Sequence, residues 1–175
     1  NYKDPDIYTA QIFSSAFGGG MSSRLFQEVR EKRGLCYSIF ASAGAYCDTG
    51  TMTLYAGTSG DKLADLAHIT IDELKRAAED MSEVEVARAR AQMKAGMLMG
   101  LESPSARAER LARMLSIWDR IPVLDEVVAQ IDAVTVETVR SYAGAMSDGA
   151  PAAMALYGPV SDAPDIAALQ ARLVA

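Results

Sequence analysis

The spacing of apolar residues changes several times along the chain, and each change predicts a new element. Residues 4–17 carry apolar side chains around most of a helical surface, which predicts a first helix. The run Gly18-Gly19-Gly20 should end it, because glycine loses much backbone entropy in a helix. A short second helix is expected after Ser22 or Ser23, with Leu25, Phe26 and Val29 on its apolar side.

A two-residue alternation begins at Tyr37 and continues to Cys47, which predicts a long strand. One face of this strand would carry Tyr37, Ile39, Ala41, Ala43, Ala45 and Cys47. The segment 51–58 alternates again through Met52, Leu54 and Ala56. Because the turn signal Asp48-Thr49-Gly50 lies between the two segments, they are predicted to form a β-hairpin.

The helical period returns at Asp61 and predicts a helix with one apolar stripe, formed by Leu63, Leu66, Ala67, Thr70, Ile71, Leu74 and Ala78. Its acidic residues Asp72 and Glu73 are expected to be solvated. Ser82 and Glu85 match a capping box, which starts a helix over 83–101. This helix is apolar on more than one side, so we expect it to be buried between layers.

The C-terminal third contains further helical signals and one strand signal. Ser103-Pro104 restarts a helix with proline in its first turn, and two shorter helices are predicted near 124–132 and 136–146. The apolar run 152–157 predicts a last strand, and 165–173 predicts one more short helix.

This order of elements is typical of the α+β class, with an antiparallel or mixed sheet whose helices lie on one face. A length of 175 residues suits a single domain, 1–175. Three strands make a small sheet for so many helices, so either a first strand is missing or a partner covers the sheet edge. Since the chain begins without Met and goes directly into a helical pattern, we expect a fragment of a longer protein.

Composition restricts the possible partners. The net charge of −6 and the pI of about 4.8, without a basic cluster, argue against a nucleic-acid partner. No apolar run reaches the roughly 18–20 residues that cross a membrane, and no signal peptide is recognised in residues 1–20. The acidic, alanine-rich and cysteine-poor chain favours the bacterial cytoplasm.

Soft metal ligands are scarce: the chain holds one histidine, His68, and two cysteines, Cys36 and Cys47. Zinc sites usually need three or four such ligands, so we expect no metal site in this chain. His68 lies roughly 140° from the centre of its helix's apolar stripe, which predicts a surface residue. The two cysteines lie at opposite ends of a predicted strand and are expected to be small buried hydrophobes.

Two segments could carry chemistry. The run Gly18-Gly19-Gly20 could present backbone N–H groups to an anion, or it could be a tight connection between two helices. In the segment 30–37, Gly34 could reverse the chain and bring the guanidinium of Arg30 to the phenol of Tyr37. Both groups donate hydrogen bonds to carbonyls or carboxylates. The alternative is a solvated basic helix end followed by a core tyrosine.

Taken together, residues 17–58 resemble a known family. The segment Phe17-Gly-Gly-Gly-Met-Ser-Ser-Arg-Leu-Phe-Gln-Glu-Val-Arg-Glu-Lys-Arg-Gly-Leu-Cys-Tyr-Ser-Ile39 is similar to the C-terminal, zinc-free domain of the inverzincin metallopeptidases. This is the family of pitrilysin, insulysin and the mitochondrial processing peptidase, and the likeness is closest to bacterial relatives of the processing peptidase. It extends more loosely over the whole chain, through Glu102-Ser103 and the helix that follows Val134.

The resemblance implies a division of labour. A homologous partner domain or subunit would carry the zinc motif H-x-x-E-H, which this chain lacks, and would supply the zinc. The zinc-free domain would contribute Arg30 and Tyr37, which match the family's Arg and Tyr in type and spacing, to hold the backbone of a peptide substrate near the scissile bond. Gly18, Gly19 and Gly20 match the position of a longer glycine-rich loop linked to substrate recognition. The family domain also begins with a strand that would be missing here.

A second function remains open at this stage. Relatives without peptidase activity serve as scaffold or assembly subunits, such as the core proteins of the respiratory bc1 complex. The presence of both Arg30 and Tyr37 argues against this alternative, because a scaffold does not need the pair. An intact or degenerate H-x-x-E-H in the partner region would distinguish the two functions.

Overall fold

A computed structural model describes residues 1–148 and 150–174. The elements are α1 (Ile7–Gly18), a π-helix (Phe26–Glu31), β1 (Ser38–Ala45), β2 (Gly50–Gly57), a 3₁₀ turn (Gly60–Lys62), α2 (Leu63–Asp80), α3 (Glu83–Gly100), α4 (Pro104–Trp118), α5 (Leu124–Asp132), α6 (Val136–Ser147) and α7 (Ile166–Val174). The predicted α+β class is confirmed. None of the helices in these ranges is both long and apolar enough to cross a membrane.

The predicted hairpin is present as a two-stranded antiparallel sheet. β1 and β2 pair from Ser38 opposite Gly57 to Ala45 opposite Gly50. The N–H of Tyr46 donates to the carbonyl of Thr49 at 2.9 Å and closes the turn. On β1, Ile39 and Ala41 are buried, as the alternation predicted, whereas Phe40 and Ser42 face solvent on the other side.

Helix α1 lies at the centre of the core, in contact with β1, α3 and α6. Its residues Ile12, Phe13 and Phe17 are completely buried. The rings of Phe13 and Phe17 stack with 5.2 Å between their centroids, and the Tyr142 ring of α6 lies 5.8 Å from Phe13. The helices therefore cover one face of the hairpin and leave its other face exposed.

The last turn of α1 approaches β1 so closely that only glycine fits. A Cβ atom on Gly18 would lie 2.4 Å from the backbone nitrogen of Ala41, a separation that real Cβ atoms do not tolerate. The absence of a side chain at Gly18 therefore lets the helix end rest directly on the strand.

The helix caps follow the sequence signals. The Glu85 N–H donates to the Ser82 hydroxyl at 3.3 Å, and the Ser82 N–H donates to the Glu85 carboxylate at 2.8 Å. Ser103 caps α4 ahead of Pro104, and Thr135 caps α6. These interactions are local, so they can be recognised from spacing alone.

Four expectations are wrong. Residues 152–157 form no strand and are exposed, because no strand of the described residues lies beside them to complete a hydrogen-bond ladder. Helix α3 is not buried between layers, since only Val86 and Ala89 are buried on it. Cys36 is only half-buried at the edge of the core and Cys47 is exposed, so neither is a fully buried hydrophobe. Glu73 is not solvated; only 3% of it is exposed.

Candidate functional site

The segment that precedes Arg30 is a π-helix rather than an ordinary helix. The N–H of Gln27 donates four residues back to Ser23 at 3.0 Å, but the N–H of Lys32 donates five residues back to Gln27 at 3.0 Å. Such π turns are rare and occur frequently at functional sites. The wider turn therefore marks the Phe26–Glu31 segment as a candidate functional segment.

Gly34 reverses the chain between Arg30 and Tyr37, as expected. Its φ angle is +60°, a left-handed conformation that favours glycine. The Gly34 N–H donates to the Arg30 carbonyl at 2.9 Å, which closes the helix end. The Tyr37 N–H then donates to the carbonyl of Gly57 at 2.9 Å, which fixes the start of β1 against β2.

The reversal brings the guanidinium of Arg30 over two aromatic rings. Its Cζ atom lies 4.5 Å from the centroid of Phe26 and 5.6 Å from the centroid of Tyr37. Stacking on aromatic faces attracts the cation and leaves the N–H donors at its edge directed outwards. Tyr37 is 85% exposed, so the alternative of a core tyrosine is wrong.

The neighbouring cations have different partners. Lys32 and Arg33 both bond to the carboxylate of Glu28, Arg33 at 2.9 Å, and these hydrogen bonds lower the pKa of Glu28. Arg30 has a weaker carboxylate neighbour in Glu31, whose Oε1 lies 3.8 Å from its Nε. The guanidinium of Arg30 is thus held by the rings more than by a carboxylate.

The start of the π-helix is anchored by Arg24, a residue that the sequence did not single out. Its guanidinium bonds to both carboxylate oxygens of Glu85 at 3.1 Å and also to Asp80. Burial alone would lower the Arg24 pKa, but these hydrogen bonds raise it overall. Arg24 therefore ties the π-helix to the end of α2 and to the capping box of α3.

Phe26 was also missed as a site residue, although the sequence contains a signal for it. Phe26 and Arg30 are four positions apart, and side chains at that spacing lie on the same side of a helix. An aromatic residue four positions before a candidate arginine therefore predicts a stacked pair.

Two open grooves lie beside Arg30, Phe26 and Tyr37. The tyrosine groove, of about 590 Å³, is lined by Gly34, Leu35, Cys36, Tyr37, Ser38, Tyr55, Gly57, Thr58, Ser59 and Lys62. The glycine groove, of about 380 Å³, is lined by Gly18, Gly19, Gly20, Met21, Phe26, Ile39, Phe40 and Ala41. The rings of Phe40 and Tyr55 stack at 5.0 Å and give each groove one wall.

The three glycines form a tight connection between α1 and the π-helix. The Gly19 N–H donates to the Ser15 carbonyl at 2.9 Å, and the Ser23 N–H donates to the Gly20 carbonyl at 2.9 Å. Because the Gly19 N–H is engaged in this way, the geometry favours a connection over an anion-binding loop. The glycines nevertheless line a groove that shares the Phe26 ring with Arg30.

The thiol of Cys36 lies in the tyrosine groove. Burial raises its pKa, and the charge of Arg30 opposes this shift only in part. The thiol is therefore protonated at neutral pH, whereas a nucleophilic cysteine needs a lowered pKa.

The described residues do not fit a zinc ion. Within 1–148 and 150–174, no three His, Cys, Asp or Glu side chains are close enough together to hold a metal. His68 lies half-buried on α2.

Comparisons with known proteins agree with this picture. The family model of the peptidase M16 inactive domain matches residues 1–93. The chain is 36% identical to an uncharacterized zinc protease of Mycobacterium bovis, over 78% of this chain and 31% of that protein. It is also 36% identical to an uncharacterized zinc protease of Streptomyces coelicolor, over 86% of this chain and 33% of that protein. The chain thus spans about a third of the length of these relatives.

Solved structures share the fold. A chain of complex III from Candida albicans superposes with a TM-score of 0.73 and 25% identity, over 82% of this chain and 36% of that one. A protease from Helicobacter pylori superposes with a TM-score of 0.67 and 22% identity, over 82% of this chain and 35% of that one. The second likeness concerns the fold alone.

Proposed function

Because the chain belongs to the family of the peptidase M16 inactive domain, we propose that it is the substrate-binding, zinc-free half of a zinc-dependent metalloendopeptidase. The observation that carries the proposal is the contact of the Arg30 guanidinium with the rings of Phe26 and Tyr37, beside two open grooves. The relatives named as zinc proteases support the reaction class.

The zinc would belong to a homologous domain or subunit that carries H-x-x-E-H, fused to this chain or separate. The chain lacks the motif, and its described residues do not fit the ion. Zinc would there activate water and polarise the scissile carbonyl. The bacterial relatives and the acidic, cysteine-poor composition support the bacterial cytoplasm as the compartment.

In this proposal, Arg30 and Tyr37 hold the peptide backbone. The Arg30 N–H groups and the Tyr37 O–H donate hydrogen bonds to the carbonyl at or next to the scissile bond. The positive charge of the Arg30 guanidinium stabilises the negative charge that develops on that oxygen in the transition state. Phe26 holds the guanidinium plane in place, which reduces the reorganisation needed when the substrate arrives.

The test uses the complete protein or complex that contains this chain and the zinc motif. We expect Arg30→Ala and Tyr37→Phe to lower kcat/KM for peptide cleavage by about 10²-fold or more, the effect of removing a donor to an oxyanion. The zinc content should stay unchanged. Arg113→Ala, on the exposed side of α4, is the matched control and should leave both quantities unchanged. Unchanged cleavage in both site variants would refute the role of the pair.

The likeness to a chain of complex III supports one alternative, a scaffold or assembly subunit. That function requires a surface that binds a partner but does not require exposed donors at Arg30 and Tyr37. A complex whose zinc motif is degenerate, and which assembles equally well with Arg30→Ala, would favour this alternative.

A further inference from the structure

The tyrosine groove carries a positive charge, although the chain as a whole has a net charge of −6. Lys62 alone of its described lining residues has a charged side chain. The groove also contains hydroxyl groups, those of Tyr37, Ser38, Tyr55, Thr58 and Ser59. A cation together with hydroxyl donors suits a ligand group that is negatively charged.

The ammonium of Lys62 is held at the chain reversal. Its Nζ donates to the carbonyl of Gly34 at 2.8 Å, and Gly34 is the glycine whose positive φ turns the chain. This bond is made to a neutral carbonyl, so it fixes the position of the ammonium without neutralising its charge. An ammonium has three N–H donors, so one such bond leaves it the capacity to bind a charged acceptor.

Two hydroxyls of the groove lie close together beside Gly57. A Cβ atom on Gly57 would lie 3.0 Å from the Ser38 hydroxyl oxygen and 3.9 Å from the Tyr55 hydroxyl oxygen. Ser38 is directly opposite Gly57 in the hairpin register. Because glycine has no side chain, the position between the two hydroxyls is left to a ligand atom.

A carboxylate matches these groups in charge and in hydrogen bonding. Its two oxygens only accept hydrogen bonds, and they bind an ammonium and hydroxyl donors more strongly than a neutral acceptor does. The groove volume of about 590 Å³ lies within the range of ligand sites, roughly 300–1,000 Å³. It can therefore hold a carboxylate together with the side chain or chain end that carries it.

The groove is continuous with the proposed peptide-binding residues. Tyr37 lines the groove, and its ring also contacts the guanidinium of Arg30, with 5.6 Å from the Cζ atom to the ring centroid. An extended peptide advances about 3.3 Å per residue. A peptide whose carbonyl is held by Arg30 and Tyr37 therefore has a residue within reach of the groove.

We propose that the tyrosine groove binds a carboxylate of the peptide substrate, with Lys62 as its cation and Ser38 and Tyr55 as hydroxyl donors. This inference rests on the proposed function. The carboxylate belongs either to an Asp or Glu side chain or to the C-terminus of the peptide. An exposed ion pair contributes up to about 5-fold to an equilibrium constant. The peptide with the carboxylate should accordingly be cleaved with a kcat/KM about 5-fold higher than its uncharged analogue.

The experiment uses the complete protein or complex that contains the zinc motif, with two series of peptides. In the first series the C-terminus is amidated, and either Glu or Gln occupies one position within three residues of the scissile bond. In the second series the peptide ends within three residues after the scissile bond, either as a carboxylate or as an amide. The series that shows the preference identifies the source of the carboxylate.

Lys62→Met should reduce the ratio of kcat/KM in that series from about 5 to about 1, whereas Lys62→Arg should keep it above about 3. Lys75→Met is the matched control. The Nζ of Lys75 also donates to a backbone carbonyl, that of Arg172 at 3.2 Å, and its loss changes the net charge by the same amount. The ratio should stay at about 5 in this control.

Two further variants change the groove without removing Lys62. Gly57→Ala places a methyl group between the Ser38 and Tyr55 hydroxyls and should lower the ratio to about 2 or below. Asp61 lies next to Lys62, and a hydrogen bond with Ser59 lowers the pKa of its carboxyl, so it opposes the charge of Lys62. Asp61→Asn should therefore raise the ratio by about 2-fold.

A ratio of about 1 in the wild type for both series would refute the carboxylate subsite, and so would equal losses in Lys62→Met and Lys75→Met. If Arg30→Ala still abolishes cleavage in either case, the proposed function stands without the subsite. If Arg30→Ala and Tyr37→Phe leave cleavage unchanged, the proposed function fails and the subsite fails with it.

Discussion

The guanidinium carbon of Arg30 lies 4.5 Å from the centre of the Phe26 ring, four residues earlier in the same π-helix. A cation over an aromatic face at a partly exposed position is stabilised by about 0.5–1 kcal/mol. If Arg30 binds the substrate as proposed, loss of the ring should leave its guanidinium less often in the orientation that bonds to the peptide. We expect Phe26→Leu to lower kcat/KM for peptide cleavage by the complete protein or complex by about 2- to 5-fold.

Phe26→Tyr is the control for this prediction, because it keeps an aromatic face under the guanidinium. It should retain kcat/KM within about 2-fold. Equal losses in the Leu and Tyr variants would show that the ring supports the fold and not the orientation of Arg30.

The anchor of the π-helix should contribute strongly to stability. The Arg24 side chain is only 9% exposed, and its removal leaves the largely buried Glu85 carboxylate without its cationic partner, while Asp80 keeps its bond to Arg76. Breaking a buried ion pair on one side costs about 3–5 kcal/mol. We expect Arg24→Met to lower the free energy of unfolding by about 3 kcal/mol, as measured by urea denaturation.

A bidentate pair at the surface provides the comparison. Arg120 also bonds to both oxygens of a carboxylate, that of Glu126, but its side chain is 56% exposed. Exposed pairs typically contribute about 0–1 kcal/mol. Arg120→Met should thus have a much smaller effect, and a similar loss in the two variants would contradict the role assigned to burial.

The buried carboxyl of Glu73 should give the protein a specific pH dependence. Burial raises the pKa of Glu73 above its ordinary value of 4.5, and its contact with Arg76 opposes this only in part. The folded protein then binds the proton more tightly than the unfolded chain. The contribution of Glu73 to stability is therefore complete below about pH 4.5 and is lost as the pH rises through its folded pKa.

Glu73→Gln removes this titration. The free energy of unfolding of the wild type minus that of Glu73→Gln should decrease between pH 4 and 8, by about 1.4 kcal/mol for each pKa unit of the shift. Glu28→Gln is the matched control of opposite sign. Hydrogen bonds from Lys32 and Arg33 lower the Glu28 pKa. The free energy of unfolding of the wild type minus that of Glu28→Gln should therefore decrease as the pH falls below about 4.5. If the two stability differences changed with pH in the same direction, burial of Glu73 would be excluded as the cause of its pH dependence.

Features set by neighbouring residues could be predicted from the sequence. The Ser82–Glu85 capping box, the turn between β1 and β2, and the reversal at Gly34 each depend on a few consecutive positions. The proximity of Arg30 and Tyr37 follows from that reversal. The spacing of these residues along the chain was therefore enough to predict these local structures.

Features that join distant segments could not be predicted. Arg24 and Glu85 are separated by 61 positions, and nothing in the local pattern of either segment indicates the pair. Glu73 lies outside the predicted apolar stripe of α2, yet it is buried on a helix that contacts the π-helix. Residues 152–157 have the composition of a strand, but a strand also needs a neighbour.

The π-helix makes the segment between Arg24 and Arg30 sensitive to length. Its turn takes up one residue more than an α-helical turn, as the bond from Lys32 back to Gln27 shows. Deleting one residue from this segment would restore the four-residue hydrogen-bond spacing of an α-helix. The residues after the deletion would then rotate by about 100° around the helix axis. Arg24 would stay anchored at Glu85, while Arg30 would turn away from Tyr37. The segment can accommodate exchanged side chains, but a single insertion or deletion would take the arginine out of register.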